Sequence, residues 1–301
     1  MMPSKLFHVY ANRSNIGDWL SAIGIQSTLT PTTDLLCDGP FVETTLAVLE
    51  QMADRDRLVI GGGGLLMNYF EPFWRGLSQR SISRCTLWGV GVCDTRDQNT
   101  PPDRKLMQEL VDRCERVVVR DELTRDFLDR DLPIVACPSL LAIQTLAAPG
   151  ASADSVLHVD NFTTVGEDVF TTMDTMASSF AVSRGMKMRN ANNRITPNSR
   201  TELDAMLKRY ATAQVVLSSG LHGCIIAVAL GKPIVAVAGD LKVDGFMCLA
   251  GLADWVVAPS ELARVPAMLE TVVAHQPSRS GWVQTMQQQN RDIGHAVEAS
   301  P

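Results

Sequence analysis

Residues 214–237 read QVVLSSGLHGCIIAVALGKPIVAV, and the punctuation of this stretch decides the fold. An apolar run over Gln214–Ser218 ends in Ser219-Gly220, a helix-length apolar segment from Cys224 to Leu230 stops at Gly231-Lys232, and a second apolar run occupies Pro233–Val237. Two short β-branched runs joined by a helix are the signature of parallel strands, because strands covered on both faces lose the polar alternation of a half-exposed sheet. Working outward, the same rhythm predicts strands at Leu6–Tyr10, Arg57–Ile60, Thr86–Val90, Arg116–Val119 and Pro133–Ala136 before this unit. Val156–Val159 also precedes it, Trp255–Val257 follows it, and an amphipathic surface helix over Ser280–Glu298 closes the chain. The small, flexible stretch Leu146–Asp154 (LAAPGASAD) reads as a linker. An α/β protein with two parallel-sheet domains is expected, residues 1–150 and 151–301, with the boundary near Gly150. No internal repeat or low-complexity tract is visible.

Composition narrows the function. With 27 Lys+Arg against 33 Asp+Glu in 301 residues, the chain has no overall basic field to hold a nucleic acid. It is 46% hydrophobic and 20% charged, enough to build a sizeable core. The apolar run Leu6–Tyr10 is too short for a signal peptide, and Cys224–Leu230 is far below the roughly 18 residues of a membrane span. A soluble cytoplasmic protein is expected, one still able to visit a membrane surface. Seven cysteines without a C-x-x-C pair and five histidines without ligand spacing suggest reduced, mostly buried thiols and no metal site.

In open α/β sheets ligands lodge at the carboxyl ends of strands, so the residues just after each strand carry the chemistry. The first such loop contains Asn15, Gly17 and Asp18; Asp18 suits an N-cap, with Asn15 and Gly17 offering contacts to a ligand. Gly61, Gly62, Gly63 and Gly64 follow the next strand, and four glycines either make a permissive turn or let a ligand approach the main chain. Neither the dinucleotide fingerprint nor the P-loop is met, because Leu66 stands where a third glycine is needed and Gly231-Lys232 runs into Pro233. Arg120 and Asp121 end a strand, so Asp121 can cap the next helix while Arg120 either pairs on the surface or points a guanidinium at a carboxylate or phosphate. His222, after Ser219-Gly220-Leu221, stands at a helix start, structural or else a general acid or base.

Taken in order, NIGD (15–18), GGGGLL (61–66), RD (120–121), LHG (221–223), GKPIVAV (231–237) and then Lys242 resemble the polysaccharide pyruvyl transferase family. The resemblance implies two Rossmann-like domains facing a cleft, as in GT-B glycosyltransferases. It implies transfer of the enolpyruvyl carbons of phosphoenolpyruvate to sugar hydroxyls of a cell-surface polysaccharide or its lipid-linked precursor, forming a pyruvate ketal and needing no further cofactor. By position His222 matches the family's catalytic histidine, Arg120 the arginine of its R-D motif, and Lys242 the lysine after the following strand. Ser219, Gly220 and Leu221 fall on the donor side; Asn15, Gly17, Asp18 and Gly61–Gly64 fall on the acceptor side. Two positions depart from the pattern: Gly220 stands where the family has arginine, and Cys137 where it has an acidic residue before proline.

Phosphoenolpyruvate carries close to three negative charges and calls for several charge-assisted contacts. The stretch SRGMKMRNANNR (183–194) offers Arg184, Lys187, Arg189 and Arg194 without an acidic residue, so it is expected either to supply donor-binding cations or to be a solvated loop. The alternatives are a nucleotide-sugar glycosyltransferase, for which Glu261 and Glu270 are nine apart rather than the usual eight, and an inactive binding protein of the same fold, which Gly220 keeps open.

Overall fold

The computed structural model describes residues 4–96, 100–147 and 153–300. Among these, ten strands form two five-stranded parallel sheets. β1 (Leu6–Tyr10), β2 (Thr33–Leu36), β3 (Arg57–Gly61), β4 (Cys85–Val90) and β5 (Arg116–Val119) take the order β2-β1-β3-β4-β5. β6 (Ser155–Val159), β7 (Lys187–Ala191), β8 (Ala213–Ser218), β9 (Ile234–Val237) and β10 (Val256–Val257) take the order β7-β6-β8-β9-β10. Counted within each half, the two orders are the same, so the topology repeats where the sequence does not. In both halves the order reverses between the first and third strands, β1/β3 and β6/β8, and such switch points open a crevice beyond the strand ends.

Two strands escape the sequence pattern. β2 (TDLL) and β7 (KMRNA) are sheet edges with mostly polar, partly exposed side chains, so neither has the apolar run that marks an inner strand. The expected strand at Pro133–Ala136 is absent: Ile134 makes only an isolated bridge to Val119. The pairing stops at two hydrogen bonds, Val119 N to Pro133 O at 3.0 Å and Val135 N to Val119 O at 2.9 Å, and Pro133 and Pro138, which lack an amide donor, bracket the segment.

The two sheets share a core. Ile16 and Leu20 from the helix Ile16–Gln26, and Leu140 and Ile143 from the helix Ser139–Leu146, cluster with Leu157, Val216 and Ile225 of the second sheet and its helices. The boundary expected near Gly150 lies outside the described residues. The last helix, Ser280–Glu298, has the expected bounds but returns to the first sheet, where Ile293 and Val297 pack with Leu6, Ile25, Val59 and Trp88. Its buried stripe is partly polar, which disguises it as a surface helix. Asn290 Oδ1 accepts from Trp88 Nε1 at 2.8 Å, Asn290 Nδ2 donates to the Ala136 carbonyl at 2.9 Å, and Gln287 Nε2 donates to the Leu140 carbonyl at 2.9 Å. These buried amides are therefore satisfied.

Two backbone clasps flank the space between the sheets. On one side Ile16 N donates to Asn193 O at 3.0 Å and Ile195 N to Ser14 O at 2.9 Å; on the other Leu241 N donates to Asp94 O at 3.0 Å and Arg96 N to Gly239 O at 3.1 Å.

Candidate active site

Between the clasps lies a cleft of about 490 Å³, lined from both halves by residues at or just beyond strand ends. The first half contributes Asn15, Asp18 and Gly64 after β1 and β3, and Arg120 after β5; the second contributes Gly220, Leu221 and His222 after β8, and Lys242 after β9. Arg194, after β7, also reaches it.

The turn after β1 builds one wall. Asn12 Oδ1 accepts from the amides of Ser14 and Asn15 at 3.1 and 2.9 Å, and this Asx turn delivers Asn15 as the N-cap, its side chain accepting from Gly17 N at 3.0 Å. Asp18 is therefore not the cap the sequence suggested. It lies within the helix's first turn, 9% exposed, and lines the cleft. Burial pushes its carboxyl up to about 6, against the opposing pull of Arg120, Lys242 and Arg194.

Gly17 explains how His222 is seated. A Cβ at residue 17 would fall 1.9 Å from His222 Nδ1, so only glycine lets the imidazole lie against this helix start. His222 is itself the second residue of the helix Leu221–Ala229, and its Nε2 is 3.9 Å from Cys137 Sγ. Its edge reaches the cleft, yet the surrounding atoms desolvate the ring. Burial, aided by Arg120 and Lys242, pushes its pKa down to about 3, so the imidazole is neutral.

The cations are held rather than loose. Asp121 caps the next helix by accepting from Thr124 N at 2.8 Å, and its other oxygen takes a hydrogen bond from Arg120 Nε at 3.1 Å. Arg120 Nη2 donates to Val92 O at 3.3 Å, leaving a 4% exposed guanidinium at the cleft wall. Burial opposes this charge, but Asp121, Cys93 and Cys137 together outweigh it and raise the pKa. Lys242 follows the N-cap Asp240; its Nζ lies 2.5 Å from Asp240 Oδ2 and 3.4 Å from Cys93 Sγ. Burial again works against the ammonium and is outweighed, here by Cys93 and Asp240.

Several expected site residues lie elsewhere. Arg184 pairs with Glu270, while Lys187 and Arg189 pair with Asp154 at 2.6 and 3.7 Å. Lys187 and Arg189 sit on edge strand β7, where charge protects an open sheet edge, and Arg184 ends the helix before it. Of the four cations, Arg194 alone lines the cleft. Gly61, Gly62 and Gly63 serve packing: a Cβ would meet Ile25 and Trp88 at residue 61, Ser21 at 62 and Asp18 Oδ1 at 63, with φ of 78° and 84° at the last two. Gly64 is the one glycine of the run on the cleft. The Ser219 hydroxyl accepts from Asn161 N at 2.7 Å and is 1% exposed, so it braces the loop after β6. Glu261 pairs with Arg264 and Glu270 with Arg184, both away from the cleft lining.

Sequence reasoning missed Asp160, Asp38, Tyr69 and Cys93, all on the cleft. Asp160 directly follows β6 and obeyed the strand-end rule already in use; burial raises its pKa. Among the described residues no group of three or more His, Cys, Asp or Glu could hold a metal ion, and none of the seven cysteines is in a disulfide.

Two Rossmann-like parallel sheets meeting at a cleft, with an imidazole, a buried carboxyl and three cations at its wall, define a GT-B-like α/β protein. The chain belongs to the polysaccharide pyruvyl transferase family, which matches residues 8–240, and that family is a family of transferases. A search of curated protein sequences returns no match. Among solved structures, a putative UDP-N-acetylglucosamine 2-epimerase from Listeria monocytogenes superposes with TM-score 0.61 at 9% identity, covering 100% of this chain and 98% of its own. A second UDP-N-acetylglucosamine 2-epimerase gives 0.55 at 10% identity over 94% and 91%, and a trehalose-6-phosphate synthase gives 0.50 at 14% over 85% and 74%. At such identities these likenesses establish the GT-B-like architecture.

Proposed function

We propose that the protein moves the pyruvyl group of phosphoenolpyruvate onto two hydroxyls of a sugar in a cell-surface polysaccharide or its lipid-linked precursor, closing a pyruvate ketal. The observation that carries this reading is the convergence of His222, Asp18, Arg120 and Lys242 on one cleft, in a chain of this family. Arg120 and Lys242 face the donor's phosphate and carboxylate, and Arg194 adds a third positive charge at the opposite clasp.

Phosphoenolpyruvate is an enol ether. A proton delivered to its methylene carbon leaves C2 electron-poor, and a sugar hydroxyl adds there, giving up its own proton. Phosphate then departs with the C2–O bond, and a neighbouring hydroxyl closes the ring, its proton leaving with phosphate or a site base. His222 and Asp18 divide the proton work. Burial, with Arg120 and Lys242 adding to it, holds His222 neutral. A donor trianion offsets those two charges, so its arrival raises the imidazole's basicity and lets the ring carry a proton into the reaction. Asp18, near 6, then accepts from the attacking hydroxyl. The main-chain turn at Gly64 borders the acceptor.

We place the reaction in the cytoplasm, peripheral to the inner membrane face where a lipid-linked acceptor is met. Among the described residues no helix is long and apolar enough to cross a membrane. The test is direct: incubation with phosphoenolpyruvate and a lipid-linked oligosaccharide releases phosphate and adds one pyruvate ketal to the product by mass spectrometry. Phosphoenolpyruvate also raises the melting temperature, as any ligand of the native state does. Stabilisation by nucleotide sugars alone, with no phosphate released, refutes the proposal in favour of glycosyl transfer.

A further inference from the structure

Cations and proton carriers explain a donor, but nothing in them grips a sugar ring. The first-half rim of the cleft does. Four large hydrophobic side chains are exposed among the described residues, and of these Tyr69, at 54%, is the one that lines the cleft. Its ring is fixed rather than free. The hydroxyl donates to Asp38 Oδ1 at 2.6 Å, Phe70 meets the ring edge-on with centroids 5.0 Å apart, and a Cβ on Gly39 (φ 48°) would sit 3.3 Å from the hydroxyl. Tyr69 engages one oxygen of Asp38, a carboxylate that also lines the cleft and has a second acceptor oxygen.

We propose that Tyr69 and Asp38 form a pyranose-binding subsite, the C–H face of one sugar unit lying on the Tyr69 ring and a hydroxyl of that unit donating to Asp38. A held aromatic face beside an acceptor-only carboxylate is what a pyranose demands, because its ring is apolar on its faces and ringed by donors at its edge. A phosphate or carboxylate finds nothing here, since the neighbouring charge is negative. The subsite belongs to the same cleft as the reacting groups, because Asp18 lines it together with Asp38 and Tyr69. Only the assignment of the bound unit as the pyruvyl acceptor rests on the pyruvyl-transfer reading.

The experiment is saturation-transfer NMR on the full chain without donor, using a panel of methyl pyranosides of glucose, galactose, mannose and N-acetylglucosamine, with uridine as the competing probe. At least one pyranoside should show transfer, strongest to protons of one ring face. Tyr69→Ala should reduce that signal about fivefold or more, Tyr69→Phe should retain most of it, and Asp38→Asn should weaken it while leaving the ring-face pattern. The exposed Tyr69 leaves the fold intact on truncation, which an unchanged melting curve checks. Pyranoside signals equal in Tyr69→Ala and the parent protein, or transfer to uridine alone, overturn the subsite. Pyranoside binding that depends on Tyr69 in a protein that ignores phosphoenolpyruvate upholds the subsite and removes the donor. With both substrates, Tyr69→Ala should raise the acceptor KM about tenfold and leave the phosphoenolpyruvate KM unmoved.

Discussion

Replacing His222 by glutamine tests the site in two independent ways. The neutral ring has a folded-state pKa near 3 against 6.5 for the free side chain. Because the folded value is the lower one, the unfolded chain binds a proton first as pH falls. The His222 contribution is therefore fully present above about pH 6.5 and is lost progressively below it. Between pH 7 and pH 5 that loss amounts to about 2 kcal/mol by proton linkage, since the folded ring stays neutral throughout. Glutamine does not titrate, so His222→Gln should be less acid-sensitive than the parent by about 2 kcal/mol over this interval, read from urea melts at the two pH values. His8, buried and pushed down to about 4, loses stability in the same direction, and Asp18, pushed up to about 6, works in the opposite one. Both are present in parent and variant, and the difference between them isolates residue 222.

Turnover supplies the second readout. If His222 moves a proton in the transition state, the same variant should lose about 100-fold in kcat, roughly 2.7 kcal/mol of barrier, while folding normally at pH 7. The glutamine should fit, because the glycine at residue 17 leaves the imidazole's space open. A variant with more than half the parental turnover removes His222 from the chemistry. Equal acid sensitivity in the two proteins refutes the buried neutral ring, whatever the kinetics show.

Asp18→Asn should cost about 100-fold in kcat and also remove a stabilisation that is complete below about pH 3.8 and vanishes as pH rises through 6, so the variant's deficit against the parent should shrink from pH 5 to pH 7. A deficit that grows with pH would mean that the carboxyl is held ionised. Arg194→Ala should raise the phosphoenolpyruvate KM about tenfold, whereas Arg184→Ala, Lys187→Ala and Arg189→Ala should leave it alone and shift stability by under about 1 kcal/mol, as exposed ion pairs do. An effect from the latter three equal to that of Arg194 would overturn their assignment to the sheet edge. Because Arg120, Lys242 and Arg194 already supply positive charge at the donor site, activity should survive EDTA; loss on chelation, restored by Mg²⁺ or Mn²⁺, contradicts the anion clamp. Phosphoenolpyruvate binding should draw protons from solution near neutral pH, measured by calorimetry in buffers of different ionisation heat, and His222→Gln should lower that uptake; buffer-independent heat refutes the coupling.

The inner strands were legible because burial on both faces forces an unbroken β-branched run, as in RVVV and IVAV. The edge strands were not, because KMRNA and TDLL satisfy only one neighbour and keep polar side chains for water. The same physics accounts for the basic stretch: Lys187 and Arg189, expected either to supply donor cations or to lie in a solvated loop, carry their charge on an open edge. Asn290 and Gln287 hid the last helix's buried face for a related reason, since each is an amide whose partner is a carbonyl or indole remote in sequence. At the site, His222 and Arg120 followed from their places after strands and Lys242 from the family resemblance, but Gly17 could not. Its role exists only once His222, two hundred residues on, is laid against it.

The two departures from the family pattern meet at His222 and offset each other. Gly220 is two residues before it, and Cys137 Sγ lies 3.9 Å from its ring. Where family members place an arginine and an acidic residue, this chain places neither, so one positive and one negative charge vanish together and the field on the imidazole keeps its sign. What remains is burial first, with Arg120 and Lys242 adding to it, which accounts for a ring held neutral without a carboxylate to charge it. The thiol is small enough to share its pocket with Ser21 Oγ at 3.0 Å and Ser139 Oγ at 3.3 Å, hydroxyls that a bulkier carboxylate would displace. Gly220 is uncrowded by comparison: a Cβ there meets only Asn161 Cβ at 3.5 Å, an ordinary contact. A Cβ at 220 is therefore sterically admissible, but an arginine there, without its acidic counterpart, would add a further positive charge near His222 and depress the ring further. Under the proposed function, Arg194, which lines the same cleft, is the residue that would add attraction for the donor trianion in place of the arginine missing at 220.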